Sequence, residues 1–327
     1  MESIDFTTPE IAQSDLVTFG DTTVNLKRDD AEAYRKQINN LRDHLNRYIG
    51  EHPDIGLVKM MISGSLAKGT ALSTIQDADV ALYVKGSSAP HELGKLLEWL
   101  VERLRNTYPQ IERNKIYVDG PCIVIAFSGT GIKVEVAPIL YDGDADDRGY
   151  LWDRTTGKRI LTSIPQHLEF IRKRKSAQQT HFSQVIRFLK WWAQQRAADT
   201  EGFQFRSFLI ELVMAKLADS GTKFDDYHAG IEAFFTYIQN SGLKERVAFT
   251  DFYATSKLPK QSTGVIEIFD PINPENNVAS DLTEADRVLL VDLANKALDA
   301  LAFARTCQTK GEAVACWQEL MGPSFNP

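Results

Sequence analysis

Cysteine is scarce: only Cys122, Cys307 and Cys316 occur in 327 residues. Odd in number and scattered without metal spacing, they exclude a disulfide framework and favour a reducing cytoplasm as the expected location. The six histidines are equally dispersed. No His-x-x-x-His or Cys-x-x-Cys pair occurs, which argues against a structural zinc. No apolar run approaches the roughly 20 residues of a membrane helix. The opening "MESIDFTTPE" lacks signal-peptide character, so no membrane association is expected. A basic excess is missing too. With 37 Lys and Arg against 44 Asp and Glu, the net charge is −7. That argues against a protein whose main task is gripping long nucleic acid, because such affinity rests on phosphate neutralisation. Small nucleotides, which need only a few local cations, stay open. Internal repeats and low-complexity segments are also lacking. What remains is ordinary: 43% hydrophobic and 25% charged residues, enough to bury a core in one or two domains.

Residues 1–28 are polar without a clear period and are expected to lie on the surface or cross the fold as an arm. Helical spacing of Tyr34, Ile38, Leu41, Leu45 and Tyr48 predicts a helix over 29–48. A turn at Asp54-Ile55-Gly56 leads to a strand over 57–62, then a short helix ending before Gln76. "DADVALYV" (77–84) is the next strand, and "HELGKLLEWLVERLRNTY" an amphipathic helix. "KIYVDGPCIVIAF" gives two strand segments broken at Asp119-Gly120-Pro121, and "IKVEVAPIL" a further strand after a turn at 129–131. From Pro165 onward the pattern is helical, ending in a helix over about 283–306. The expected fold is therefore α/β (α+β): a mixed sheet domain over 1–160, then an all-helical domain over 161–327.

Within this frame "ISGSLAKGTALSTIQDADVALYV" (62–84) carries the chemistry. Alternate strand residues share a face, so Asp77 and Asp79 point the same way. Two carboxylates so close repel unless a divalent cation lies between them. Glu135, between Val134 and Val136, offers a third from another strand. If the strands are neighbours, the three form a ligand set for two Mg²⁺ ions, or Mn²⁺, of the kind that clamps a phosphoryl displacement. Gly64-Ser65, between strand and helix, lets the backbone approach a phosphate and donate to it. Singly, each motif is commonplace: an N-cap, or a solvated strand edge. Their order is the specific signal.

Gly-Ser, eleven residues, Asp-x-Asp, and then "VEVAP" resemble the polymerase β-like nucleotidyltransferase superfamily. Within it the chain resembles the bacterial cyclic-oligonucleotide synthases of CBASS anti-phage systems, relatives of cyclic GMP-AMP synthase and oligoadenylate synthase. "GSLAKGTAL", "FLKWWAQQ", "SFLIELV", "DPINPENNVAS" and "ACWQELMGPSFNP" extend the likeness from about residue 35 to the end. The resemblance implies a site in the cleft between the two domains. There Asp77 and Asp79 hold both metals, and Glu135 the metal that activates the attacking hydroxyl. Gly64, Ser65, Lys190 and Ser207 hold the triphosphate of ATP, GTP, UTP or CTP. It further implies a cyclic di- or trinucleotide product, release of pyrophosphate and a separate effector, and leaves room for a regulatory protein partner. Glu135 departs from the aspartate more often found there, and its extra methylene moves the ligating oxygens outward. Two alternatives are an enzyme that extends RNA (tRNA) ends and a catalytically silent nucleotide-binding regulator.

Other features read more plainly. Arg187 and Lys190 share a helix face, which by itself suggests solvated cations. Ser207 also reads as an N-cap. "RKRK" (172–175) fits a solvated helix end better than an RNA grip. "YDGDADDRGYLWD" alternates Asp142, Asp144 and Asp146 as a calcium loop does. It places Asp147 where that loop needs glycine and Asp153 where it needs glutamate, so it is excluded. It is expected to be a mobile loop at the mouth of the cleft, with Tyr150 and Trp152 as candidate stacking rings and burial the competing account of Trp152.

Overall fold

A computed structural model describes residues 11–152, 157–178 and 181–327. Asp153, the last position of the excluded calcium loop, lies outside the described residues. The elements in chain order are α1 (Gln13–Phe19), α2 (Arg28–Glu51), β1 (Leu57–Ile62), α3 (Gly64–Lys68), β2 (Asp77–Lys85) and α4 (Leu93–Thr107). Five strands follow: β3 (Ile116–Asp119), β4 (Cys122–Ala126), β5 (Lys133–Tyr141), β6 (Gly149–Trp152) and β7 (Arg159–Thr162). The rest is helical: α5 (Ile164–Ala177), α6 (Phe182–Asp199), α7 (Ser207–Asp219), α8 (Tyr227–Ser241), α9 (Glu284–Ala304) and α10 (Lys310–Met321). No helix among the described residues is long and apolar enough to cross a membrane.

Two compact units emerge from the contacts. One is Leu26–Arg172; the other joins the described segment up to Asn25 to Lys173–Pro327. The boundary expected between 160 and 161 thus lies later, and the first segment groups with the helices. Its chemistry explains why: α1 buries Leu16 and Phe19. The Phe19 ring stands 4.9 Å from Phe325 and 6.2 Å from Phe188, aromatic contacts that a sparse apolar pattern does not announce.

In the sheet unit, strands run in the order β1-β2-β5-β4-β3, with β6 bridging β5 and β7. β2 and β5 are parallel; the other pairs are antiparallel. Alternation in β2 sends Ala78, Val80, Leu82 and Val84 into one core with Val134, Val136 and Leu140 of β5. Against that face lie Ile38, Leu41 and Leu45 of α2 and Leu96, Leu100 and Leu104 of α4, at the three- and four-residue spacing of a buried helical stripe. A smaller cluster of Ala81, Tyr83 and Ile139 covers part of the opposite face.

The segment expected to be a mobile loop instead contributes β6. Gly149 pairs with Thr162 and Trp152 with Arg159. Trp152 is buried in the main core while Tyr150 is exposed, so burial wins for Trp152. In the helical unit, α6 and α7 are apolar on most sides, as central helices must be. α9 and α10 open with Thr283/Asp286 and Thr309/Glu312 capping boxes. α10 is an addition to the expected elements.

Candidate active site

The sheet brings the three carboxylates onto one face. Asp77 and Asp79 begin β2, and Asp79 is the register partner of Glu135 in the parallel ladder. Residues paired across such a ladder project to the same side, as do residues two apart along a strand. The opposite side is fixed independently, since Ala78, Val80, Val134 and Val136 all enter the main core. Asp77, Asp79 and Glu135 are each half-buried. The valines of "VEV" therefore aim the glutamate between them by refusing water themselves.

Gly64 closes the approach to Asp79. β1 and β2 are antiparallel, with Ile62 opposite Val80, and the Ser63 amide donates to the Asp79 carbonyl at 2.9 Å. The next residue, Gly64, is left-handed (φ +59°) and opens α3. A β-carbon there would lie 1.9 Å from Asp79 Oδ2, so only glycine leaves the carboxylate in place. Ser65, half-buried in the first turn of α3, follows directly. The N-cap of that helix is Ser63 rather than the Gly-Ser pair.

One neighbour has no sequence signal of its own. The Tyr34 hydroxyl donates to the Ile75 carbonyl at 3.4 Å, tying α2 to the segment that delivers Asp77. Burial, then the charges of Asp77 and Asp30, pushes its phenol above the ordinary value. The phenol therefore stays neutral beside the carboxylates at physiological pH.

The donor chemistry suits a hard divalent cation, since all three groups supply carboxylate oxygens. Among the described residues no three or more His, Cys, Asp or Glu side chains are grouped closely enough to hold a metal ion as they stand.

In the helical unit, Lys190 is not a solvated cation. It is buried on α6 and donates to Glu211 Oε1 at 2.6 Å, both side chains being almost wholly inaccessible. Glu211, inside the apolar run "SFLIELV", is the partner that sequence reasoning missed; a lone acid in such a run is the signal that could have found it. Ser207 is exposed, one turn before Glu211 on α7, and the N-cap position is Arg206. Arg187 donates to Gln184 Oε1 at 3.1 and 2.6 Å, and burial holds its guanidinium below the ordinary value.

"RKRK" splits its duties. Arg172 pairs with Glu169 at the surface, Lys173 pairs with Asp251, and Lys175 is exposed. Arg174 is buried between Asp219 and Asp251, not solvated. Asp147, left-handed at φ 55°, forms an ion pair with Lys59, a structural use for an acid of the discarded calcium pattern.

No protein-family model matches the chain. A cyclic AMP-AMP-AMP synthase of Escherichia coli strain MS 115-1 is 40% identical over 318 residues, 97% of this chain and 99% of that protein. A CBASS oligonucleotide cyclase, CdnC, of another Escherichia coli strain is 29% identical over 312 residues, 94% of this chain and 95% of that one. The structure of Escherichia coli MS115-1 CdnC with ATP superposes with a TM-score of 0.94 at 39% identity, over 99% of this chain and 100% of that one. The same CdnC in a complex with a HORMA protein gives 0.93 at 39% identity, over 97% and 99%.

Proposed function

We propose a residue-level mechanism from the premise that the chain belongs to the family of CBASS oligonucleotide cyclases. Its members are nucleotidyltransferases that make cyclic oligonucleotides, and this chain is one by descent over nearly its whole length. The finer reading is that it joins ATP into a cyclic trinucleotide. That choice of base and ring size is supported by the name of its 40% identical relative and by the ATP bound to CdnC.

The observation that carries the mechanism is the shared face of Asp77, Asp79 and Glu135 beside Gly64. Asp77 and Asp79 would hold two Mg²⁺ ions and Glu135 one of them. When bound, such ions lower the pKa of a ribose hydroxyl and neutralise charge on the phosphate it attacks. The protein's own share is placement. Gly64 and Ser65 bring backbone and hydroxyl donors to the phosphate chain, and Asp79 is locked by the glycine against it. Ser207, exposed in the first turn of α7, is assigned to the triphosphate, whereas Lys190, expected to share that task, is committed to Glu211 and braces α6 against α7. In-line attack on the α-phosphorus forms the new P–O bond as the bond to pyrophosphate breaks. A second such step gives a linear trinucleotide, and attack by its free hydroxyl on its own 5′ triphosphate expels a third pyrophosphate and closes the ring.

A HORMA-type regulatory partner and a separate effector complete the proposal, the former supported by the CdnC complex. The test is incubation of labelled ATP with Mg²⁺ and no RNA. A phosphatase-resistant cyclic product, lost in Asp77→Ala plus Asp79→Ala, supports the reading. A product formed only on added RNA ends would overturn it.

A further inference from the structure

Two of the three cysteines meet where α9 gives way to α10. Cys307 lies in the link after α9 and Cys316 in the second turn of α10, and their sulfurs are 3.9 Å apart. The Cys307 thiol also reaches the Phe303 carbonyl at 3.3 Å, and both cysteines are half-buried, open to a small reagent. The link is held by its capping box: Glu312 accepts from the Gln308 amide at 2.9 Å and the Thr309 amide at 3.0 Å. A disulfide bond is about 2.05 Å long. The sulfurs must therefore close by roughly 2 Å, within reach of rotation about the two Cα–Cβ bonds. Neither thiol has a part in the nucleotidyl transfer.

We propose that Cys307 and Cys316 form a reversible disulfide modification site, closed by hydrogen peroxide. One thiolate attacks the peroxide, the O–O bond breaks, and a sulfenic acid and water result. The second thiolate attacks the sulfenic sulfur, forms the S–S bond and expels a second water. Two thiols are oxidised by two electrons and one peroxide is reduced to two waters. Burial, followed by the hydrogen bond shared with Cys307, raises the Cys316 thiol above its ordinary value, which suits Cys316 to the resolving role and leaves Cys307 as the entry point. The bond would pin the α9–α10 hairpin, which is tied to α6 by the Trp191 indole N–H donating to the Met321 carbonyl at 2.8 Å.

The test treats the purified full-length protein with hydrogen peroxide at low stoichiometry. Expected are a fall in titratable thiols from three to one under denaturing conditions and an intact mass lower by two hydrogens. A peptide joining Cys307 to Cys316 should appear, and dithiothreitol should reverse every change. The oxidised form should melt a few degrees higher, because the closed loop restricts the unfolded chain. Cys307→Ser and Cys316→Ser should each abolish the crosslink, with Cys307 trapped as a sulfenic acid in the latter. Cys122→Ala should keep it. Retention of all three thiols, a mass gain of oxygen atoms in the unsubstituted protein, a crosslink through Cys122 or a covalent dimer would each overturn the proposal.

Discussion

Replacing Gly64 with alanine tests the geometry of the site most sharply, because it adds one methyl and removes no charge. The added carbon would lie 1.9 Å from Asp79 Oδ2 and 2.6 Å from its Cγ. Contacts below 3.0 Å essentially never occur, so the carboxylate must retreat by about 1.1 Å. A misplacement of about 1 Å at a reacting centre costs on the order of 100-fold in rate. The backbone, left-handed at φ +59°, adds about 1–2 kcal/mol of strain for a residue with a β-carbon. That strain corresponds to a fall of only a few degrees in melting temperature. Gly64→Ala should thus fold, melt slightly earlier and release pyrophosphate from ATP about 100-fold more slowly. Gly94→Ala is the control: nothing lies within 4 Å of its added carbon, so activity should be unchanged. Pyrophosphate release and circular-dichroism melting on the same samples check both halves. A folded Gly64→Ala enzyme turning over within about 3-fold of the unsubstituted rate would refute the argument that this glycine holds Asp79 in place.

Three further outcomes follow from the same structure. Glu135→Gln, which keeps size and removes charge, should lower turnover by about 100-fold, with Glu135→Asp recovering part of it; single-turnover kinetics would show both. Breaking the buried pair with Lys190→Met or with Glu211→Leu should each cost about 3–5 kcal/mol in urea unfolding, whereas the double variant should return to within about 1 kcal/mol of the original. Burial works to raise the Asp251 pKa, but hydrogen bonds and charge from Lys173 and Arg174 win and hold it below the ordinary carboxylate value. The stability it lends is present at neutral pH and is lost as pH falls below the usual carboxylate range through that lowered value; Asp251→Asn should flatten the acid limb of a melting-temperature profile.

Legibility in the sequence followed the range of the forces involved. The bounds of β1 over 57–62 and the start of β2 are legible because alternation and a neighbouring turn are local signals. The shared face of Asp77 and Asp79 needed only the period of a strand. That Glu135 belongs with them required β2 and β5 to be neighbours, which the sequence could pose only as a condition. β6 is hidden because four residues opening with glycine owe their extended form to pairing with β7, from Arg159 opposite Trp152 to Thr162 opposite Gly149. Arg174 looked solvated because the aspartates that bury it are 45 and 77 residues away. Lys190 was found as a cation, but its state depends on Glu211, 21 residues later on another helix.

The parallel ladder of β2 and β5 couples packing to chemistry in a way that constrains how this chain can change. Sliding β5 by a single residue would swing Glu135 into the oil behind the sheet and present Val136 where the acid had stood. The aliphatic residues thus act as an alignment key for the reactive ones, though no nucleotide ever touches them. Substitutions that loosen that key should first appear as idle enzyme, well before they appear as unfolded protein.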